Sequence, residues 1–156
     1  MADRNMAPPM PAGMPKLDGP IRADHSGSIV VDWPFGIRGG IPLYGQAFAP
    51  QAQVLASDDG HPRAVGFISR VPAPTLNGIE RIPFYTDMQS LWLNPTQKWS
   101  AARLAAARAD ARKLNVGWVI VWPLTHEKRW IDQWLTGTGF RYDYHEGKIQ
   151  VYKAVR

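Results

Sequence analysis

A five-residue stretch near the C-terminus constrains the fold of this chain more than any other feature. Residues 118–122 are Trp-Val-Ile-Val-Trp, so five consecutive side chains are apolar. Successive side chains of a β-strand point to opposite faces of the sheet, and this strand therefore needs cover on both faces. The sequence predicts a central strand in a covered sheet that is at least partly parallel.

Predicted helices flank this strand on both sides. Within Ser100–Leu114, apolar residues recur at three- and four-residue steps, at Leu104, Ala107, Ala111 and Leu114. This spacing predicts an amphipathic helix, and alanine favours both helix formation and close approach to a sheet. After the strand, His126–Leu135 predicts a shorter helix that buries Trp130 and Trp134.

Two further patterns complete the predicted sheet. Ser28–Asp32 is a short β-branched run that is stopped by the turn-forming residues Trp33–Gly36, and it predicts a buried strand. Phe140–His145 and Lys148–Val155 alternate in polarity around Glu146-Gly147. That alternation predicts an antiparallel β-hairpin at the C-terminal end.

The region between the first strand and the long helix is predicted more coarsely. Tyr44–Ala56 predicts a helix that is interrupted at Pro50, and Ala64–Ser69 predicts a second strand. Val71–Pro83 contains three prolines and predicts an irregular loop. Asn94-Pro95 predicts a helix N-cap that is followed by proline at the first helical position.

The N-terminal residues differ from the rest in composition. The first 28 residues hold five of the 14 prolines and four of the five methionines, and no helical or strand period is present. Residues 1–27 are therefore predicted to be a disordered Pro/Met-rich tail or linker. Residues 28–156 are predicted to form one compact α/β domain, with a mixed sheet, helices packed on it and a C-terminal antiparallel hairpin. The sequence has no apolar run of about 18–20 residues, and no transmembrane helix is predicted.

Composition excludes several chemistries. The absence of cysteine removes disulfides, thiolate metal sites, iron–sulfur clusters and a cysteine nucleophile. No two of the four histidines have helical metal-ligand spacing, and structural positions are favoured for all of them: His25, His61, His126 and His145. No glycine-rich phosphate loop or nucleophile elbow occurs. The sequence predicts no catalytic residue, no metal site and no cofactor in this chain.

A candidate ligand site lies at the end of the first predicted strand. Asp32 comes at the carboxyl end of that strand, which is where α/β sheets usually bind ligands. Gly36 would allow close backbone approach, Trp33 would supply an apolar face, and Arg70 would supply positive charge. This combination suits a glycan or a lipid-linked headgroup. The competing interpretation is a packing loop with a buried Arg70–Asp32 pair.

Positive charge is concentrated around the long helix. The net charge is +5. Within residues 95–114, one acidic residue, Asp110, stands against five basic ones: Lys98, Arg103, Arg108, Arg112 and Lys113. A basic helix face is usually solvated, and it can also rest on anionic lipid headgroups. Basic and aromatic residues do not interleave on one element, so nucleic acid is not a predicted partner.

The order of several short motifs resembles a known family. The motifs occur in the order Ile29-Val-Val-Asp-Trp-Pro-Phe-Gly36, Tyr44-x-Gln46, His61-Pro-x-x-x-Gly-Phe-Ile-Ser-Arg70, Leu114-Asn-Val-Gly-Trp-Val-Ile-Val121, Trp134-Leu-x-x-x-Gly139-Phe and Gly147-Lys-Ile-Gln-Val-Tyr-Lys153. Over residues 28–155 the chain is similar to the region after the last membrane span of bacterial polytopic proteins that resemble the glycosyltransferase-C superfamily.

This resemblance implies a binding function rather than a catalytic one. In that superfamily the catalytic acidic residue lies between early membrane helices, so no catalytic residue is transferred to this chain. The resemblance implies an extracytoplasmic, non-catalytic accessory domain that binds an acceptor or a partner. Its partners would be a glycan, a lipid-linked sugar, the membrane surface or a membrane-embedded partner region.

An enzyme hypothesis remains beside this one. The order helix, strand, helix, Gly-Phe and strand also closes the fold of acetyl-coenzyme A-dependent N-acetyltransferases. That fold resembles this chain only in part, because it needs a glycine-containing loop before the central helix to hold the pyrophosphate. No glycine occurs between Gly78 and Gly117. Whether the chain itself is an enzyme stays open at this point.

Overall fold

The computed structural model describes residues 19–38, 43–44, 59–64, 66–67, 73–123 and 128–156. Five helices are described: α1 (Pro20–Ala23), α2 (Ala73–Ile79), α3 (Pro83–Leu93), α4 (Ala101–Lys113) and α5 (Lys128–Gly137). Seven strands are described: β1 (Ile29–Trp33), β2 (Ile37–Arg38), β3 (Leu43–Tyr44), β4 (Gly66–Phe67), β5 (Val116–Val121), β6 (Phe140–Glu146) and β7 (Ile149–Ala154).

The main sheet has the strand order β1-β5-β7-β6. β1 pairs with β5 in parallel, whereas β7 pairs antiparallel with both β5 and β6. The predicted α/β domain, with a mixed sheet and a C-terminal antiparallel hairpin, is therefore confirmed. A smaller sheet has the order β3-β2-β4.

The predicted central strand is enclosed on both faces. Trp118 and Val119 point to opposite faces because successive strand side chains alternate, and both are buried. Gly117, one residue earlier, lies against the buried Ser28, and a Cβ there would collide with the Ser28 side chain. Glycine at this position lets the start of β1 approach β5 closely.

The long helix α4 begins at Ala101, later than the predicted N-cap at Asn94-Pro95 would place its start. Ser100 is its N-cap, because the Ser100 hydroxyl accepts the amide N–H of Arg103 at 3.1 Å. Asn94, predicted to begin a helix, instead caps the C-terminus of α3, where its N–H bonds to the carbonyl of Ser90. The predicted N-cap at Asn94-Pro95 is wrong, because a hydroxyl six residues later satisfies the free amide of the first turn.

Two helices, α2 and α3, lie between residues 73 and 93, where the sequence predicts a loop or no regular element. α2 lies inside Val71–Pro83, and its second residue is Pro74. α3 begins at Pro83, which is also a first-turn position. Proline is tolerated there because the amides of the first turn have no partner within the helix. The loop prediction for Val71–Pro83 is therefore wrong over α2.

An aromatic cluster joins the helices to the sheet. Phe84 of α3 packs 5.2 Å from the ring of Trp134 on α5 and 5.8 Å from that of Phe140 on β6, measured between ring centroids. All three side chains are buried. Through this cluster, Phe84–Trp134–Phe140, α3 packs against both α5 and the outer strand.

The folded part includes residues that the sequence analysis assigns to the tail. Ile21 of α1 is fully buried, and the indole N–H of Trp118 donates to Asp24 at 2.7 Å. Ile21 and Asp24 thus contact the domain, although both precede the predicted boundary at residue 27. One buried isoleucine anchors the segment without any periodic pattern. Residues 1–18 lie outside the described residues.

The remaining predicted elements fall partly outside the described residues. Of the helix predicted over Tyr44–Ala56, only Tyr44 is described, and it lies in β3. Of the strand predicted over Ala64–Ser69, Gly66–Phe67 forms β4. Among the helices of the described ranges, none has the length and apolar character needed to span a bilayer.

Candidate functional site

The carboxylate of Asp32 lies at the centre of the predicted site and is fully buried. Nη1 of Arg63 donates to both carboxylate oxygens at 3.2 Å, and the indole N–H of Trp122 donates to Oδ1 at 2.8 Å. Burial raises the pKa of Asp32, against the opposing effects of Arg63 and Trp122. Both oxygens are therefore occupied by groups of the protein itself.

A second carboxylate shares the same guanidinium. Nη2 of Arg63 forms an ion pair with Asp59, which is also buried. The segment 59–64 is held alongside β1, because the amide of Val30 bonds to the carbonyl of Pro62 and the amide of Ala64 bonds to the carbonyl of Val30. This backbone pairing positions one arginine between two buried acids. We call Asp32, Asp59 and Arg63 the buried charge triad.

The predicted pairing of Asp32 was with a different arginine. Arg70 lies outside the described residues, and the partner of Asp32 is Arg63. Neither Arg63 nor Asp59 is among the site residues predicted from the sequence. The available signal was the i,i+4 spacing of these two residues around the turn that contains Gly60-His61-Pro62.

The other two predicted site residues belong to the interior. Trp33 is 3% exposed and packs edge-on against Trp92 of α3, at 5.4 Å between ring centroids. Gly36 is buried as well. Asp32 and Trp33 are adjacent on β1 and point to opposite faces of the sheet. The structure therefore does not bring Asp32 and Trp33 together on one ligand-facing surface.

His61 links the N-terminal segment to the start of β1. Its ring is buried, with Nδ1 2.8 Å from the carbonyl oxygen of Ser28 and Nε2 2.9 Å from the carbonyl oxygen of Ile21. Carbonyl oxygens only accept hydrogen bonds, so a neutral imidazole satisfies one of them and a doubly protonated ring satisfies both. The His61 ring therefore has a structural role, because it bridges the carbonyls of Ser28 and Ile21. We call this bridge the His61 clasp.

Asp24 is an acid whose ionisation is influenced by His61. Burial opposes ionisation of Asp24, but hydrogen bonds from Trp118 and Ser26, together with the charge of His61, outweigh burial and hold its pKa well below the usual range. Asp24 is therefore an anion at neutral pH.

We expect His61→Leu to lower the free energy of unfolding by about 1–3 kcal/mol, because the buried carbonyls of Ser28 and Ile21 lose the imidazole ring that lies at hydrogen-bonding distance from both. Urea denaturation measures the loss. Amide hydrogen exchange should also accelerate in α1, where Ala23 and Asp24 donate to local carbonyls. His145→Leu is the matched control, since His145 is exposed on β6. Equal stability of the His61 variant and the wild type would contradict the clasp.

The basic residues of the long helix do not form one free charged face. Nη2 of Arg103 pairs with the buried Asp87 at 2.7 Å, and burial raises the pKa of that carboxyl. The side chain of Arg108 lies directly against Gly139. Three exposed basic residues remain around α4: Lys98, Arg112 and Lys113.

Across the described ranges, no group of three or more histidine and acidic side chains is arranged to hold a metal ion. The candidate site is an enclosed set of charges in which one arginine is shared by two carboxylates. No protein-family model, curated protein or solved structure matches this chain.

Proposed function

We propose that this chain is a non-catalytic accessory domain that binds a ligand or partner, as its resemblance to the soluble C-terminal domains of membrane glycosyltransferases implies. The observation that carries the proposal is the buried charge triad. A general acid or base must come within hydrogen-bonding reach of its substrate. Asp32 and Asp59 are enclosed and already paired with Arg63, so this edge of the sheet stabilises the fold.

The same resemblance carries the proposed location and partners. The domain would lie on the extracytoplasmic face of the cell membrane, near the membrane surface or a membrane-embedded partner region. Its ligand would be a glycan or a lipid-linked sugar. The exposed cations at Lys98, Arg112 and Lys113 support contact with an anionic surface, because each basic side chain near such a surface adds about 1 kcal/mol of attraction.

Vesicle sedimentation tests the membrane-surface partner. At physiological salt, we expect the chain to sediment with phosphatidylglycerol vesicles and not with phosphatidylcholine vesicles. Arg112→Glu should weaken this partition by about tenfold or more, since one favourable charge is replaced by a repelled one. Arg81→Glu is the control, because it changes the net charge equally at an exposed position after α2. Equal weakening by both variants would mean that the overall net charge of the chain, and not a defined surface around α4, drives its binding to the vesicles.

The N-acetyltransferase-like enzyme is the second candidate function. The observation that favours it is the succession α4, β5, α5, Gly139-Phe140 and the final two strands. Two features weigh against it. β1 and β5 remain hydrogen-bonded along their length, and the pairing continues from the amide of Trp122 to the carbonyl of Trp33, so no ligand cleft opens between them. Moreover, Ser100 already caps the first turn of α4.

We therefore expect no binding of acetyl-coenzyme A. The pyrophosphate would need free backbone amides in a glycine-containing turn before α4, and this chain has a serine cap and no glycine there. Isothermal titration calorimetry of the purified chain with acetyl-coenzyme A measures this directly. A dissociation constant in the micromolar range would overturn the accessory-domain proposal in favour of the transferase.

A further inference from the structure

A polar cleft lies apart from the buried charge triad. It has a volume of about 490 Å³ and lies between α5 and the β6–β7 hairpin, lined by Arg129, Asp132, Tyr142, Gln150 and Tyr152. Gln150 pairs with Val121, the last residue of β5. Tyr152 pairs two residues further back, with Val119. The cleft therefore extends along the hairpin from the end of the sheet at which the parallel strands finish, which is the usual ligand end of α/β folds.

The wall formed by α5 supplies two opposite charges. Arg129 and Asp132 are three residues apart and so share one face of the helix. The guanidinium of Arg129 lies 4.6 Å from the ring centroid of Trp130. Asp132 is exposed and accepts the phenol of Tyr152 at 2.9 Å through Oδ1. No other hydrogen bond to Asp132 occurs among the described residues, and Arg129 and Asp132 contribute one charge of each sign to this wall.

The tyrosine on the cleft floor keeps Asp132 in one orientation. Burial and the neighbouring Asp132 carboxylate both raise the pKa of Tyr152. The phenol thus keeps its proton and donates to Asp132 throughout the physiological pH range. A carboxylate that is fixed by one hydrogen bond loses less freedom when its other oxygen binds a ligand.

The hairpin supplies an aromatic surface and a hydrogen-bond acceptor. Tyr142 is 46% exposed, and its ring meets that of Tyr152 edge-on at 5.8 Å between centroids. The Tyr142 hydroxyl lies 2.9 Å from Nδ1 of His145, which restrains the ring. Among the described residues, the buried side-chain oxygen of Gln150 has no hydrogen-bond partner. Such an acceptor gains free energy once its amide turns toward the cleft and meets a ligand donor.

These features together select a class of ligand. Hydroxyl groups both donate and accept hydrogen bonds, so a polyhydroxylated ring can donate to Asp132 and Gln150 and accept from Arg129. The C–H face of a sugar ring can pack on the exposed tyrosine. One charge of each sign lines the cleft, so a ligand of either net charge meets a repelling group as well as an attracting one, and a neutral ligand meets neither penalty.

We propose that the cleft lined by Arg129, Asp132, Tyr142, Gln150 and Tyr152 binds a neutral sugar residue. This inference rests on the proposed function, because it names the ligand class and the site of an accessory binding domain. Asp132 and Gln150 receive hydrogen bonds from sugar hydroxyls, and Tyr142 contacts the ring face.

Titration of the isotope-labelled chain, followed by amide NMR shifts, tests the site. The probes are methyl α-mannopyranoside and methyl β-glucopyranoside, with glucosamine and glucose 1-phosphate as charged comparisons. The neutral glycosides should shift the amides around Asp132, Tyr142 and Gln150, and should bind more tightly than either charged sugar. Tighter binding of glucose 1-phosphate would indicate a phosphate-linked headgroup and overturn the assignment to a neutral sugar. Shifts confined to other regions would remove the site.

Variants separate the contributions of the lining residues. We expect Asp132→Ala and Tyr142→Ala each to weaken glycoside binding by about tenfold, whereas Tyr142→Phe keeps the ring and stays within about twofold. Glu80→Ala, which removes an exposed carboxylate elsewhere, should leave affinity unchanged. Both replaced cleft positions are exposed, so the fold should be retained, and unfolding curves check this. Wild-type affinity in Asp132→Ala would overturn the proposal.

The outcomes distinguish this inference from the proposed function. Absence of glycoside binding, together with retained vesicle binding and no heat from acetyl-coenzyme A, would remove the sugar site and leave the accessory domain. Binding of acetyl-coenzyme A would remove the accessory domain, whatever the glycosides do.

Discussion

Arg63→Ala is expected to lower the free energy of unfolding by about 3–5 kcal/mol at neutral pH. Its side chain is 4% exposed and is the cation shared by Asp32 and Asp59. Without it, two buried carboxylates face each other with no compensating charge. Removing one partner of a buried ion pair costs far more than the net worth of the pair, because the remaining charges stay desolvated.

This loss should depend on pH. Burial already raises the pKa of Asp32, so the folded state holds the Asp32 proton to higher pH than the unfolded state does. The associated stabilisation is present at low pH and is lost as the pH rises through the folded-state pKa. Arg63 lowers this pKa, so its removal raises the pKa of Asp32 further. The pH range over which protonated Asp32 stabilises the fold then extends to higher pH. The deficit of Arg63→Ala relative to the wild type should therefore shrink as the pH falls from neutral.

Urea unfolding of both proteins over a series of pH values measures this effect. Arg81→Ala is the control, because Arg81 is an exposed arginine and its removal should change stability by less than about 0.5 kcal/mol. A deficit for Arg63→Ala that stays constant with pH would indicate lost packing rather than uncompensated charge.

Phe84→Ala is the second replacement with a large expected effect, a loss of about 3–5 kcal/mol in the free energy of unfolding. Phe84 is fully buried and contacts both Trp134 and Phe140. Truncation removes apolar contact area and leaves a cavity between α3, α5 and β6. The surrounding rings are rigid and can fill such a cavity only in part.

Chemical denaturation with tryptophan fluorescence measures this loss, since Trp134 lies against the new cavity. Leu93→Ala provides the control on the same helix, because Leu93 is 57% exposed and its truncation should cost less than about 0.5 kcal/mol. Similar losses for both variants would mean that the aromatic cluster does not hold α3 in place.

The sequence alone identified the elements whose patterns are local. The apolar run at Trp118–Trp122, the alanine-rich helix and the alternation around Glu146-Gly147 each occur in the structure close to the predicted bounds. These signals come from side-chain periods within one element, so they do not depend on which element lies opposite. The fold class follows from their order along the chain.

Pairings between distant residues came only from the tertiary structure. The sequence predicts the β6–β7 hairpin, but not that β7 rather than β6 pairs with β5. It predicts a buried partner for Asp32, but Arg63 occupies that position because the backbone of residues 59–64 runs beside β1. Likewise, a single buried residue, Ile21, extends the folded part into the predicted tail.

The polar cleft belongs to the same class of feature. Asp132 lies on α5, whereas Tyr142, Gln150 and Tyr152 come from the hairpin, and each residue alone is an ordinary surface or strand residue. Periodicity determines which face a side chain occupies within its own element. The partners of that side chain depend on strand order and helix packing, which are decided by the burial of the whole chain at once.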